Sequence, residues 1–201
     1  MTETKHIFPD TYGLVLCGGQ SNRMGTDKSM LQYYKKPQRY HVYDMLLPFC
    51  ENVFISCNAQ QANSITKSYD FIKDDPTYIN IGPIAAILSA FALHPQNNLL
   101  LIGCDYPFLT AAALDGFAAI CKQGPAAFFN EEAGVYEPLL AWYPYNCFDA
   151  LKEMYEAKQF SLQHFLKTSG AVKYLPPDID CIKSIDTPEA FNEAYKLINA
   201  G

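Results

Sequence analysis

Apolar residues in this chain fall into short runs that stop abruptly at glycine or polar residues. Leu14-Val15-Leu16 ends at Gly18-Gly19, residues 52–57 (NVFISC) end at Asn58, and residues 99–103 (LLLIG) end at Cys104-Asp105. Runs this short, rich in β-branched and aromatic residues and bounded by turn formers, predict buried strands. Residues 69–72, 126–129, 137–142 and 172–175 predict further extended segments. Longer stretches lie between them, at residues 37–50, 60–68, 84–93, 111–122, 144–157, 161–167 and 188–199. Pro37, Pro83, Pro144 and Pro188 stand at the start of four of these, where a missing N–H costs nothing to a helix.

Strands alternating with helices predict an α/β chain. The expected fold is a single-domain, three-layer Rossmann-like arrangement, a mostly parallel central sheet with helices on both faces. With 201 residues and no repeat, low-complexity segment or linker, residues 1–201 read as one domain. Residues 1–11 are polar and read as a flexible start. Ligands of such sheets sit at the carboxyl ends of parallel strands. Gly18, Asn58 and Asp74, each just beyond a predicted extended segment, are therefore expected to converge.

Residues 13–31 read GLVLCGGQSNRMGTDKSML, a strand feeding a glycine loop. Gly18 and Gly19 can adopt positive φ and admit a ligand close to the backbone, while Arg23 and Lys28 can reach an anion. The loop suits phosphate. It is not a Walker A loop, because Thr26 and Asp27 separate Gly25 from Lys28, and it lacks the G-x-G-x-x-G fingerprint that a dinucleotide-dependent oxidoreductase would carry.

Charge narrows the ligand. A net charge of −6 disfavours a nucleic-acid surface, so a cationic loop here points to a small phosphorylated molecule. With 49% hydrophobic residues but no run of eighteen, no membrane span is expected. The start lacks a signal-peptide pattern, and a cytoplasmic location is expected. Seven cysteines, with no C-x-x-C pair, read as reduced core thiols, of which Cys17 and Cys104 stand at strand ends. Four scattered histidines make no metal spacing. Asp105, directly after a strand, has the chemistry to hold Mg2+ or to cap a turn. Asp186 is either a second carboxylate for that metal or half of a capping box with Glu189.

Residues 16–31 resemble the LAGGxSxRMGxDKxxL signature of the MobA-like nucleotidyltransferases, with Cys17 in place of Ala. Residues 104–109 (CDYPFL) resemble that family's CDxPFL, and residues 82–87 (GPIAAI) its GPLAGI, with Ala86 for the second Gly. Two segments depart further: Ser56-Cys57-Asn58 where the family often has Asn-x-Asn, and residues 184–189 (SIDTPE) where it often has NxNTPE. The resemblance spans residues 13–189. It implies a nucleotide-diphospho-sugar transferase-like fold and a Mg2+-dependent transfer of GMP from GTP to the phosphate of molybdenum-molybdopterin, with pyrophosphate leaving.

By the same resemblance Arg23, Lys28 and Asp105 would be catalytic, and Asp105 the metal ligand, joined by Asp186 if that residue serves the metal. Leu16, Cys17, Gly18, Gly19 and Ser21 would hold the nucleotide together with Lys28 and Asp105, the N–H groups of residues 17–19 cradling the triphosphate. Asn58, Asp74, Gly82 and Pro83 would complete the nucleotide site, with Asp74 reading guanine. Partners would be GTP, molybdopterin and, transiently, molybdopterin-carrying proteins or molybdoenzymes. The residues themselves leave open CTP as donor, another phosphorylated acceptor, or a nucleotide-binding regulatory module without turnover.

Overall fold

Three of the apolar runs form adjacent parallel strands: β1 (Thr11–Leu16), β2 (Asn52–Cys57) and β4 (Asn98–Gly103). The computed structural model describes residues 7–17, 27–78 and 81–200. β1 lies between the other two, with Leu16 opposite Ser56 on one side and Gly103 on the other. All three strands therefore end at one level. β3 (Phe71–Lys73) adds to β2 in parallel, while β5 (Ala126–Asn130), β6 (Val135–Tyr143) and β7 (Val172–Tyr174) extend the far side. The order is β3-β2-β1-β4-β6-β5-β7 in one seven-stranded sheet.

The sheet is mostly parallel, as expected from the alternation of elements. β6 is the exception, antiparallel to both β4 and β5. The reason is the connection before it: residues 131–134 join β5 to β6 through Gly134 at φ 68°, and a link so short can only reverse the chain. β7 then returns parallel to β5.

Helices α1 (Gln38–Leu46) and α4 (Ala111–Ala118) cover one face, where Val15, Ile55 and Ile102 pack against Leu46, Leu114 and Phe117. Helices α3 (Pro83–Leu93), α5 (Phe148–Glu156) and α6 (Leu162–Thr168) cover the other, where Leu14 and Leu101 meet Ile87, Phe91, Leu151 and Leu166. Consecutive residues of β1 and β4 are thus buried on opposite faces, which explains their unbroken apolar runs. α7 (Pro188–Ile198) closes the chain, with Ala190 and Phe191 packed beside Tyr33 and Ile185. No helix among the described residues is long and apolar enough to cross a membrane.

Three expectations need correction. The helix predicted at residues 60–68 is only α2 (Ala59–Ala62), after which Asn63 and Ser64 turn the chain away, residues whose side chains compete for backbone groups. The helix predicted from residue 144 begins as a 3-10 turn, Tyr145–Cys147, before α5. The start is packed from Phe8 onward, not flexible to residue 11: its ring is buried against Phe49 and Phe117 and its N–H donates to Phe49 O at 3.0 Å.

Gly13 sets how closely α1 approaches the sheet, since a Cβ there would meet Leu46 Cδ1 at 3.1 Å, Val53 Cγ2 at 3.3 Å and Cys50 Sγ at 3.4 Å. Gly13→Ala is expected to cost about 1–2 kcal/mol by overpacking. A urea titration checks it: the midpoint should fall at unchanged slope, and an unchanged midpoint would mean that α1 yields freely.

Candidate active site

A pocket of about 500 Å3 opens where β1, β2 and β3 end. Its walls are Leu16 and Cys17 from β1, Ser56, Cys57 and Asn58 from β2, and Asp74 just after β3; Gly82, Pro83 and Ala86 at the start of α3 complete it. Of the three residues expected to converge on this edge of the sheet, Asn58 and Asp74 do, and Leu16, Cys17, Gly82 and Pro83 line the same pocket. Gly18, Gly19, Ser21 and Arg23 lie outside the described residues.

Local hydrogen bonds define what each of these residues offers. Asp74 continues the ladder, its N–H donating to Cys57 O at 3.1 Å, and its carboxylate accepts from Ser56 Oγ at 3.0 Å. Burial pushes the Asp74 pKa up, and the Ser56 bond opposes this. Ser56, a departure from the family pattern, thus orients the acid. Asn58 is the N-cap of α2: its Oδ1 accepts from the N–H groups of Gln60 and Gln61, both at 2.9 Å, and Gln61 Oε1 accepts from the Asn58 N–H at 3.2 Å. Its side-chain carbonyl is therefore taken. Gly82 takes φ 72°, a conformation a side chain would resist, and Pro83 fills the first helical position behind it. The Cys17 N–H donates to Ser56 O at 3.5 Å, so that donor serves the sheet and not a phosphate cradle.

A second cluster adjoins the pocket at the end of β4. The Cys104 N–H donates to Leu16 O at 3.2 Å, so the chain leaves the sheet beside Cys17 and presents Asp105. Asp105 Oδ1 is buried and has no hydrogen-bond partner among the described residues. A Cβ on Gly103 would overlap that oxygen, so glycine provides the cradle into which the carboxylate folds. Burial raises the Asp105 pKa to about 6, with Lys28 pulling it down and Asp186 pushing it up. An orphaned carboxylate oxygen in a fitted cradle, with a second carboxylate nearby, suits a hard divalent cation. No group of three or more candidate ligands occurs among the described residues, which leaves the rest of any such shell to water or substrate oxygens.

Lys28 and Asp186 reach this point from opposite ends of the chain. Lys28 begins a 3-10 turn, Lys28–Met30, whose cap is Asp27. Asp27 Oδ1 accepts from the Ser29 N–H at 2.9 Å and Ser29 Oγ at 2.7 Å, while Oδ2 accepts from Gln61 Nε2 at 3.0 Å. The Ile185 N–H donates to Asp105 O at 2.8 Å, and neighbouring Asp186 forms an ion pair with Lys28. The capping box drawn from Asp186 and Glu189 does not form, because Thr187 caps α7, its Oγ1 accepting from the Ala190 N–H at 3.2 Å. Asp186 is thereby left out of the cap and paired with Lys28.

Sequence reasoning passed over two residues. Asp27 lay inside the quoted motif but was given no role, and it ties the end of the glycine loop to the α2 wall. Glu137 on β6 accepts from Tyr106 Oη at 2.8 Å, holding the turn that carries Asp105, and burial raises its pKa. Only the antiparallel pairing of β6 with β4 brings Glu137 to this end of the sheet, and nothing in the residue pattern announces that pairing.

The model of the MobA-like NTP transferase domain family matches residues 13–172. The chain belongs to that family. Among curated relatives, a molybdenum cofactor biosynthesis bifunctional protein of Synechocystis is 29% identical over 191 residues, covering 90% of this chain and 53% of that protein. The chain thus spans about half the length of this relative. A molybdenum cofactor guanylyltransferase of Pseudomonas putida is 25% identical over 186 residues, 92% of this chain and 94% of that enzyme. The crystal structure of molybdopterin-guanine dinucleotide biosynthesis protein A from Archaeoglobus fulgidus superposes with a TM-score of 0.78 at 20% identity, covering 94% of this chain and 100% of that one. Membership in the MobA-like family makes this a nucleotidyltransferase.

The raised Asp74 pKa carries a cost in stability. The folded state holds the Asp74 proton more tightly than the unfolded chain, so stability falls as pH rises from the ordinary carboxylate value of 3.8 through the raised folded value. Asp74→Asn is expected to gain up to about 1 kcal/mol over the parent at pH 8 and to lose that advantage below pH 4. Urea titrations of the nucleotide-free protein at the two pH values test this; an equal gain at both would assign it to packing.

Proposed function

We propose that this chain transfers GMP from GTP to the terminal phosphate of molybdopterin, releasing pyrophosphate. The observation that carries the reading is Asp74, a half-buried carboxylate oriented by Ser56 in a pocket adjoining Lys28 and Asp105. A carboxylate there accepts two hydrogen bonds from the N1–H and 2-amino group of guanine, where adenine offers an acceptor in place of the N1–H. Support for the acceptor comes from the relatives of similar length, which are named molybdenum cofactor guanylyltransferases.

An oxygen of the acceptor phosphate attacks the α-phosphorus of GTP. The new P–O bond forms as the bond to the bridging oxygen breaks, and pyrophosphate leaves with that electron pair. The chain's task is to hold two anions in line and neutralise their charge. Lys28 supplies a cation beside Asp105, and Arg23 is assigned the same work on the leaving phosphates. Gly18, Gly19 and Ser21 are assigned the cradle of the triphosphate. Asp105, with Asp186 as the second carboxylate, would hold Mg2+, which supplies charge neutralisation on the phosphate oxygens. No side chain need remove a proton, because a phosphate monoester is largely ionised near neutral pH. The reading carries with it a cytoplasmic location and transient contact with proteins that deliver molybdopterin or receive the product.

Pyrophosphate release with each ribonucleoside triphosphate and Mg2+, with and without molybdenum-loaded molybdopterin, tests the proposal. Release with GTP alone, dependent on the acceptor, is expected; release with CTP would keep the reaction and change the donor. Lys28→Ala and Asp105→Ala are each expected to remain folded and to lose at least about 100-fold in turnover. Near-normal turnover in either variant would sink the assignment.

A further inference from the structure

Arg39, in the first turn of α1, is fully buried and makes no ion pair with a carboxylate among the described residues. Its guanidinium donates to Ser64 O at 2.7 Å, Tyr40 Oη at 2.9 Å and Ser64 Oγ at 3.2 Å, and lies 4.8 Å from the centre of the Tyr40 ring. Among the described residues Nε has no partner, and Oε1 of the preceding residue, Gln38, is likewise buried without one. Neutral groups meet part of the guanidinium's hydrogen-bonding capacity, but no described residue brings it a full opposite charge. A buried charge is costly unless an opposite charge offsets it.

The position of Arg39 indicates where that opposite charge belongs. α1 runs opposite to β1, since Leu46 at its end lies beside Gly13 and the Glu51 N–H donates to Thr11 O at the start of the strand, so its first turn lies toward the edge where β1 and β2 end. The helix has neither a side-chain cap nor an acidic residue in its first turn, so its positive end adds to the field of Arg39. That field reaches the pocket floor. Cys17 is held below its ordinary pKa first by the hydrogen bond with Cys104, against burial, with Ser29 and then the Arg39 charge adding to the effect. Cys57 is raised by burial, and Arg39 works against the rise. Both thiols line the pocket.

We propose that Arg39 is the buried counter-charge for the nucleotide's polyphosphate, a binding residue that acts on the triphosphate through the floor of the site without touching it. The inference rests on the nucleotidyltransferase reading only in requiring a nucleoside triphosphate, whatever the acceptor. The bonds to Ser64 give Arg39 a structural duty as well, because they tie the turn after α2 to α1. A purely structural residue would affect all ligands of the pocket alike, whereas a counter-charge favours the one bearing phosphates.

Calorimetry of the full chain with GTP and with guanosine separates the two roles. Arg39→Met is expected to weaken GTP about tenfold and guanosine less than twofold, and Arg39→Lys, which keeps the charge and loses the planar fork, to restore most of the GTP affinity. Equal losses for both ligands, or none for GTP, would overturn the proposal. Should Arg39→Met fail to fold, Tyr40→Phe keeps the charge and removes one of its bonds. The ratio of GTP to guanosine affinity should then hold, and a fall in it would assign the effect to the structural tie. A wild-type chain that prefers another triphosphate overturns only the choice of guanine, and the same comparison is made with that triphosphate and its nucleoside. Binding of no triphosphate overturns both readings.

Discussion

The in-register alignment of β1 between β2 and β4 is the constraint on which the site depends. With Leu16 opposite both Ser56 and Gly103, three chain segments leave the sheet at one level: the glycine loop, the Asn58 cap and the Asp105 turn. A shift of one residue in either pairing would turn each side chain to the opposite face and carry the strand ends off this common level. Two packed faces prevent it. Val15 and Ile102 belong to one core and Leu14 and Leu101 to the other, so the register that forms the hydrophobic core also assembles the pocket.

Polar groups at this edge are held by one another more than by solvent. Ser56 orients Asp74, Gln61 joins the α2 cap to Asp27, Asp27 shapes the turn bearing Lys28, and Tyr106 joins the Asp105 turn to Glu137 on β6. Yet three of the charged groups are left unbalanced. Asp74 and Asp105 have raised pKa values through burial, and Arg39 lacks an anion among the described residues. Such imbalance destabilises the fold and is relieved by a ligand that brings the missing charge or hydrogen bonds. The nucleotide proposed above, with a base that donates and a chain of phosphates, would bring both.

Much of this was legible in the sequence because it rests on short-range signals. The β1 run and its glycines, the LLLIG strand before Asp105 and the proline-started helices α3 and α7 each specify a local structure whose end marks a site residue. What was not legible depends on non-local geometry. The arrival of Glu137 beside Tyr106 depends on the pairing of β6 with β4, and the partner of Asp27 stands 34 positions away, at Gln61. Arg39 looked like any polar residue on a helix. Only the packed fold shows it to be wholly covered. Asp186 was ambiguous for a related reason, since Thr187 could cap α7 as well as Asp186 could, and tertiary contact with Lys28 decided between them.

The Lys28–Asp186 pair also bears on how an acidic chain admits a polyanion. Lys28 is largely covered, with 17% of its side chain exposed, whereas Asp186 is half exposed at 50%. A pair with one solvated member adds little stability, because the carboxylate gains in water most of what it loses on separation. Lys28 is thus kept in place near Asp105 by a partner that a phosphate oxygen can replace at small cost. On the function proposed above, Asp186 would stay anchored after such an exchange through the Ile185 N–H bond to Asp105 O, so its carboxylate would remain beside Asp105 instead of drifting into solvent. One weak ion pair would in that case hold the cation ready before the nucleotide arrives and leave a second carboxylate beside Asp105 afterwards.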